Sequence, residues 1–132
     1  MATSSPLIQP TKSHAIANDL RALLGSTKVK DDVSTITAYA VDASIYRIPP
    51  QAVVLVESED DIAATIGYAV SRGIPLTPRA AGTNLTGSAI GSGIILDVSH
   101  LNQILEVNRE EQWARVQPGM VLAELNRQLS SH

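Results

Sequence analysis

The segment Pro78-Arg79-Ala80-Ala81-Gly82-Thr83-Asn84-Leu85-Thr86-Gly87-Ser88 separates two apolar, strand-like runs. It combines small residues, hydroxyls and glycines with one arginine and no acid. Glycine and alanine put little in the way of an incoming group, and a concavity of backbone N–H groups carries partial positive charge. Phosphate or pyrophosphate is the ligand this composition favours. Two familiar phosphate loops are excluded by context. Gly82 and Gly87 have the spacing of a Walker A loop, but Ser88 stands in place of its lysine, and no lysine follows Lys30. Gly91-Ser92-Gly93 gives only the G-x-G of a dinucleotide fingerprint. It leads into Ile94-Ile95-Leu96-Asp97-Val98, a β-rich run rather than a helix. A connection between strands with no ligand stays open on composition alone, since glycine-rich loops are common.

The flanking pattern predicts a helix from Ser58 to Gly73, with Ser58 as N-cap and Glu59, Asp60 and Asp61 in the first turn. Ile62, Ile66 and Val70 lie four apart and predict its apolar stripe. Strands are expected at Ala52–Val56 before this helix and at Ile74–Thr77 after it. This β-α-β order places Arg79–Gly87 at the C-terminal end of a strand, where ligands bind in α/β layers. Beyond the loop, strands are expected at Ile94–Val98, Ile104–Val107 and Trp113–Val116, with Asn108–Gln112 as a hairpin connection. Pro118-Gly119 predicts a turn, and Val121–Leu129 a last helix with Leu122, Leu125 and Leu129 inward. Near the start, Ile16, Leu20, Leu23 and Leu24 define a helix over about Ser13–Leu24 stopped by Gly25. Residues 1–13, polar and punctuated by Pro6 and Pro10, read as a flexible N-terminal tail. The fold class is α+β, a small mixed sheet flanked by helices.

At 132 residues the chain suffices for one compact unit, burying roughly two thirds of its unfolded surface. With one Trp, three Tyr and no Phe, its core must be aliphatic. The net charge of −3 without a basic cluster argues against nucleic acid as a partner. No apolar run is long enough to span a bilayer. The absence of cysteine removes disulfides, thiolate metal sites and thiol nucleophiles. It fits a reducing compartment, and a cytoplasmic location is the expectation. His14 and His100 have no second ligand at metal spacing, and His132 ends the chain, so no metal site is expected. Arg79 has two readings, offsetting pyrophosphate charge or pairing with Asp97. Asp42, Ser44 and Tyr46 read as a polar turn with one half-buried ring, and Trp113 as a core or sheet-face aromatic.

Arg79 to Gly87 also resembles the R-G-x-G-T-x-x-x-G loop of flavoproteins with a p-cresol methylhydroxylase (PCMH) type FAD-binding domain, the vanillyl-alcohol oxidase superfamily. Asp42-Ala43-Ser44-Ile45-Tyr46-Arg47 and Pro50-Gln51-Ala52-Val53-Val54 are similar to the entry of that domain in D-lactate and glycolate dehydrogenases. Gly93–Ser99, Ile104–Val107 and Val116-Gln117-Pro118-Gly119 resemble the strands and turn that follow. The likeness spans about residues 30 to 129, with motif order and spacing kept.

The resemblance implies that backbone amides of Ala80, Ala81, Gly82, Thr83 and Asn84 hold the FAD pyrophosphate. Gly87 would permit the turn. Read from the residues alone, Arg79 is a candidate for contributing charge to this site, and Pro118 and Gly119 either line the flavin or make a simple strand-to-helix turn. Ala80 and Ala81 replace glycines usual in the family, at a cost in strain if either position needs positive φ. Thr83 stands where relatives with covalent flavin carry histidine, so FAD is implied to be non-covalent.

The implied parent activity is oxidation of a 2-hydroxy acid of D-lactate or glycolate type, with hydride passing from substrate C2 to the flavin. No residue here is nominated as catalytic. The family continues past Gly119 with a second glycine-rich segment and a substrate domain, which nothing here resembles. Residues 14–132 are therefore expected to be a partial FAD-binding domain, inactive alone, with a partner chain as one source of the missing half. The alternative is a non-catalytic remnant or interaction module without flavin, motivated by Ala80-Ala81 and that missing half.

Overall fold

A computed structural model of the chain describes residues 10–130. The elements run α1 (Pro10–Leu24), β1 (Val29–Lys30), α2 (Val33–Tyr39), β2 (Ala52–Leu55), α3 (Glu59–Arg72) and β3 (Leu76–Arg79). After the loop come β4 (Ile94–Asp97), β5 (Ile104–Asn108), β6 (Trp113–Val116) and α4 (Leu122–Leu129). The α+β expectation holds. Of the predicted tail, residues 10–13 belong to α1, and the rest lies outside the described residues.

Four strands form one sheet in the order β1-β2-β4-β3. β2, β4 and β3 are parallel, with Ala52 and Leu76 both level with Ile94, and β1 adds antiparallel to β2. β4 therefore sits between the two strands that α3 connects. The central strands bury both faces, as parallel strands do. Ala52, Val54, Ile94, Leu96 and Val98 meet Ala17 and Leu20 of α1 and Ala69 of α3 in one core. By alternation, Val53, Ile95 and Asp97 face the other way, toward α2, and are also buried. β3 runs two residues past the expected end at Thr77 and includes Pro78. It is an edge strand, where a missing N–H leaves no ladder bond broken.

Parallel pairing of β3 with β4 has a consequence for the loop. The chain leaves β3 at one end of the sheet and must enter β4 at the other. Such a return needs about a dozen or more residues, usually a helix. Here residues 80–93 make it with no helix at all. A long irregular segment is thereby anchored at the C-terminal sheet edge.

Two expectations change. α3 buries Asp61, Thr65 and Ala69, while Ile66 and Val70 are 44% and 75% exposed. The helix is turned by one residue because Asp61 is pinned inward. Lys28 Nζ donates to both its carboxylate oxygens at 2.8 Å, and the N–H groups of Glu57 and Ser58 donate to it as well. The Thr65 hydroxyl donates to the Asp61 carbonyl, so the inward face carries no unsatisfied polar side chain. In α4, Leu125 and Leu129 are partly buried, but Leu122 in its first turn is 69% exposed.

Two elements had no sequence expectation. β1 is two residues long. α2 is rich in β-branched residues, which disfavour helix. Its start is fixed by Asp32, whose carboxylate accepts from the Thr35 N–H at 2.9 Å and from the Ser34 and Thr35 hydroxyls. The β5–β6 hairpin forms as expected, separate from the larger sheet, and the Asn108–Gln112 connection contains Gln112 at φ 58°.

Candidate functional site

The loop leaves the sheet at Arg79, whose carbonyl still accepts from the Val98 N–H at 2.8 Å. Beyond that point Gly82 adopts φ +67° and Gly87 φ +78°, left-handed conformations in which a side chain is strained. Ala80 and Ala81 have negative φ, so the replacement of glycine costs no backbone strain at either position. Among the described residues, the N–H groups of Ala80, Ala81, Gly82, Thr83 and Asn84 have no hydrogen-bond acceptor. Two acceptors of the loop are engaged instead. The Gly82 carbonyl accepts from the Ala43 N–H at 3.0 Å, and Asn84 Oδ1 accepts from the N–H groups of Thr86 and Ser88. A run of unengaged donors is suited to an anion.

Arg79 is not paired with Asp97, although the two are level in the β3–β4 register. Tyr39 stands between them. Its hydroxyl donates to the Asp97 carboxylate, and its ring lies under the Arg79 guanidinium at 4.9 Å. Burial first, and then the hydrogen bond to Asp97, push the Tyr39 phenol up to about 12. Asp97, itself buried, also accepts from the Ser99 N–H and hydroxyl at 2.8 and 2.5 Å. Arg79 Nη1 donates to the Val41 carbonyl at 2.8 Å, and no ion pair to Arg79 exists among the described residues. The guanidinium packs on Gly82, where a Cβ would come within 2.5 Å of Arg79 Nη2. A positive charge with no carboxylate partner therefore lies against the run of free amides.

Pro118 and Gly119 stand at the same end of the sheet. The Gly119 N–H donates to the Leu101 carbonyl at 2.8 Å, and a Cβ there would meet the Val98 and Ser99 carbonyl oxygens at 2.5 Å. Crowding by this neighbouring backbone is what requires glycine at 119. The segment containing Asp42, Ser44 and Tyr46 does more than pack. Asp42 accepts from the Ala89 N–H at 3.4 Å, across from the loop, and Tyr46 abuts Gly87. No local signal marks these contacts, because they join residues some 40 positions apart.

The sequence has no cysteine, and the loop contains no histidine. No cluster of metal-binding side chains exists among the described residues, and His14 is engaged by Asp31 at 2.9 Å. Trp113 is a sheet-face aromatic whose Nε1 donates to Glu111 at 2.8 Å. No helix among the described residues is long and apolar enough to cross a membrane.

The chain is 43% identical over 109 residues to D-2-hydroxyglutarate dehydrogenase of Pseudomonas putida, covering 80% of this chain and 11% of that protein. It is 34% identical over 96 residues to glycolate oxidase subunit GlcD of Bacillus subtilis, covering 70% of this chain and 20% of that subunit. It thus spans about a tenth to a quarter of the length of the curated relatives it matches. Among solved structures, p-cresol methylhydroxylase with substrate bound superposes with a TM-score of 0.79 at 20% identity, over 98% of this chain and 27% of that one. For 4-ethylphenol oxidase from Gulosibacter chungangensis the TM-score is 0.77 at 24% identity, over 97% and 27%. These neighbours establish the fold as that of a PCMH-type domain. The family model described as FAD binding domain matches residues 50–132, which include the loop, β4 and the hairpin, and the chain belongs to that family with FAD as its cofactor.

Proposed function

We propose that the backbone amides of Ala80, Ala81, Gly82, Thr83 and Asn84 seat the pyrophosphate of FAD without a covalent bond, and that the chain serves a flavoenzyme that oxidises a 2-hydroxy acid. The observation that carries this reading is the run of N–H groups without acceptors beside an arginine without a carboxylate. Gly82 and Gly87 supply the turns, Arg79 supplies charge from below, and Pro118 and Gly119 form part of the flavin-side wall. When bound, FAD supplies the two-electron redox chemistry. Every contribution assigned to this chain is to binding and orientation. No residue here is given a proton-transfer role.

Similarity to D-2-hydroxyglutarate dehydrogenases and to a glycolate oxidase subunit supports a small 2-hydroxy acid as the substrate class. Residues outside the present sequence would hold that acid, either in the same polypeptide or in a partner chain. A cytoplasmic location belongs to the same proposal and is supported by the absence of cysteine.

Titration of the purified chain with FAD, followed by flavin fluorescence and the visible spectrum, tests the proposal. Saturable binding is expected, and Gly82→Val should abolish it, because valine meets both a left-handed φ and the Arg79 guanidinium. Equal affinity in wild type and variant would refute the loop assignment. No saturation up to millimolar FAD would favour a remnant without flavin.

A further inference from the structure

We infer that residues 41–48 form a brace that shapes the phosphate loop, with Asp42 as its positioning residue; the inference rests on the pyrophosphate reading of residues 80–84. The brace is closed on itself. Val41 and Arg47 make an antiparallel bridge, and the Ile48 N–H donates to the Ala40 carbonyl at 2.8 Å. Inside it, the Ser44 N–H donates to Asp42 Oδ1 at 2.9 Å and the Tyr46 N–H to Ser44 Oγ at 3.1 Å. Its base is tied to the sheet end by the bond from Arg79 to the Val41 carbonyl.

This closed turn grips the loop at three places along its length. The Ala43 N–H holds the Gly82 carbonyl, and the Ala89 N–H donates to Asp42 Oδ2. The Tyr46 ring lies against Gly87 so closely that a Cβ there would approach Cδ2 within 2.8 Å. Each grip takes a carbonyl, a glycine face or an amide downstream of Asn84. None takes an N–H of residues 80–84. The brace therefore orients the loop from behind and leaves its donor side unspent.

A carboxylate next to an anion site would ordinarily oppose binding. Here Ser44 first, and then the Asn84 amide and the Ala89 N–H, hold the Asp42 carboxyl below the usual carboxylate range. The Ser44 and Ala89 N–H groups donate to its two oxygens, so its charge is taken up locally rather than presented to the ligand. Asparagine keeps one acceptor oxygen, able to take the Ser44 N–H inside the turn; a methyl group can accept none.

The test uses the 132-residue chain and its Asp42→Ala, Asp42→Asn and Gly82→Val variants. Fluorescence titration gives FAD affinity, thermal unfolding gives the stability of the FAD-free proteins, and amide NMR reports on residues 80–84. Asp42→Ala is expected to weaken FAD about tenfold or more, a loss of about 1.4 kcal/mol. It should also shift the residue 80–84 resonances in FAD-free protein while leaving the unfolding temperature close to wild type. Asp42→Asn, which keeps one acceptor oxygen, should recover part of the affinity that Asp42→Ala loses. Wild-type affinity in Asp42→Ala beside lost binding in Gly82→Val would overturn the brace and spare the pyrophosphate reading. Unmoved resonances at 80–84 in FAD-free Asp42→Ala would overturn the brace whether or not FAD binds. A loss matched by a collapse in unfolding temperature and not recovered by asparagine would reduce Asp42 to general structural support. Unchanged FAD affinity in Gly82→Val would sink the pyrophosphate reading and the brace with it.

Discussion

Tyr39 lies between the Arg79 guanidinium, 4.9 Å from its ring, and the Asp97 carboxylate that accepts from its hydroxyl. Burial of the phenol, and then its hydrogen bond to Asp97 and the second anion that deprotonation would set against that carboxylate, hold its proton to about 12. The folded-state value is raised above the unfolded one of roughly 10. The stability that follows is fully present below about pH 10 and is lost as pH rises toward 12. Urea unfolding followed from pH 9 to 12 should therefore show wild type losing stability faster than Tyr39→Phe; parallel curves would contradict this. Arg79 and Gly82 were legible as site candidates because charge and glycine in a loop are local signals. The intervening Tyr39 was not, since only the β3–β4 register and the docking of α2 bring it there.

At the scale of elements, α3 shows how a helix chooses its face. Ile66 and Val70 give the stronger hydrophobic pattern, yet the helix turns Asp61, Thr65 and Ala69 inward. Burying a carboxylate is costly unless it is paired and hydrogen-bonded. Lys28, the Glu57 and Ser58 amides and the capping box meet that condition together. Burial alone would raise the Asp61 carboxyl, but these partners, Lys28 foremost, hold it below the ordinary range. Ser58→Ala removes one half of the capping box and should cost about 0.5–2 kcal/mol in chemical denaturation. Ile66→Ser and Val70→Ser should each change stability by no more than about 0.5 kcal/mol. A large loss at either would restore the expected apolar stripe. Helix existence and both its ends were readable from Ser58 and Gly73; its rotation depended on Lys28, more than 30 positions away in sequence.

At the scale of the whole molecule, the four-stranded unit and the hairpin meet through the segment after β4, where Leu101 packs in the core and its carbonyl accepts from the Gly119 N–H that follows the hairpin. The hairpin and α4 leave Leu105, Val107, Trp113 and Leu122 more than a third exposed, an apolar surface of the kind that marks interaction sites. A ligand that binds only the folded chain raises its stability by mass action, about 2.7 kcal/mol at a concentration 100 times Kd. FAD at that excess should raise the unfolding temperature of wild type and leave that of Gly82→Val unmoved, as scanning calorimetry would show. Equal shifts in both would place the cofactor elsewhere.

The sequence by itself determined the types of the elements other than β1 and α2, the aliphatic core and the glycine-rich segment with its single arginine. Those properties reside in periodicity, capping residues and composition, which act within a few residues. Tertiary structure alone decided that β4 lies between β2 and β3, so that residues 80–93 must travel the length of the sheet as loop. It alone set Tyr39 between Arg79 and Asp97 and seated residues 41–48 behind the loop. Such pairings are fixed by which distant surfaces can be buried together with every polar group satisfied, and that condition is not written in any short stretch of chain.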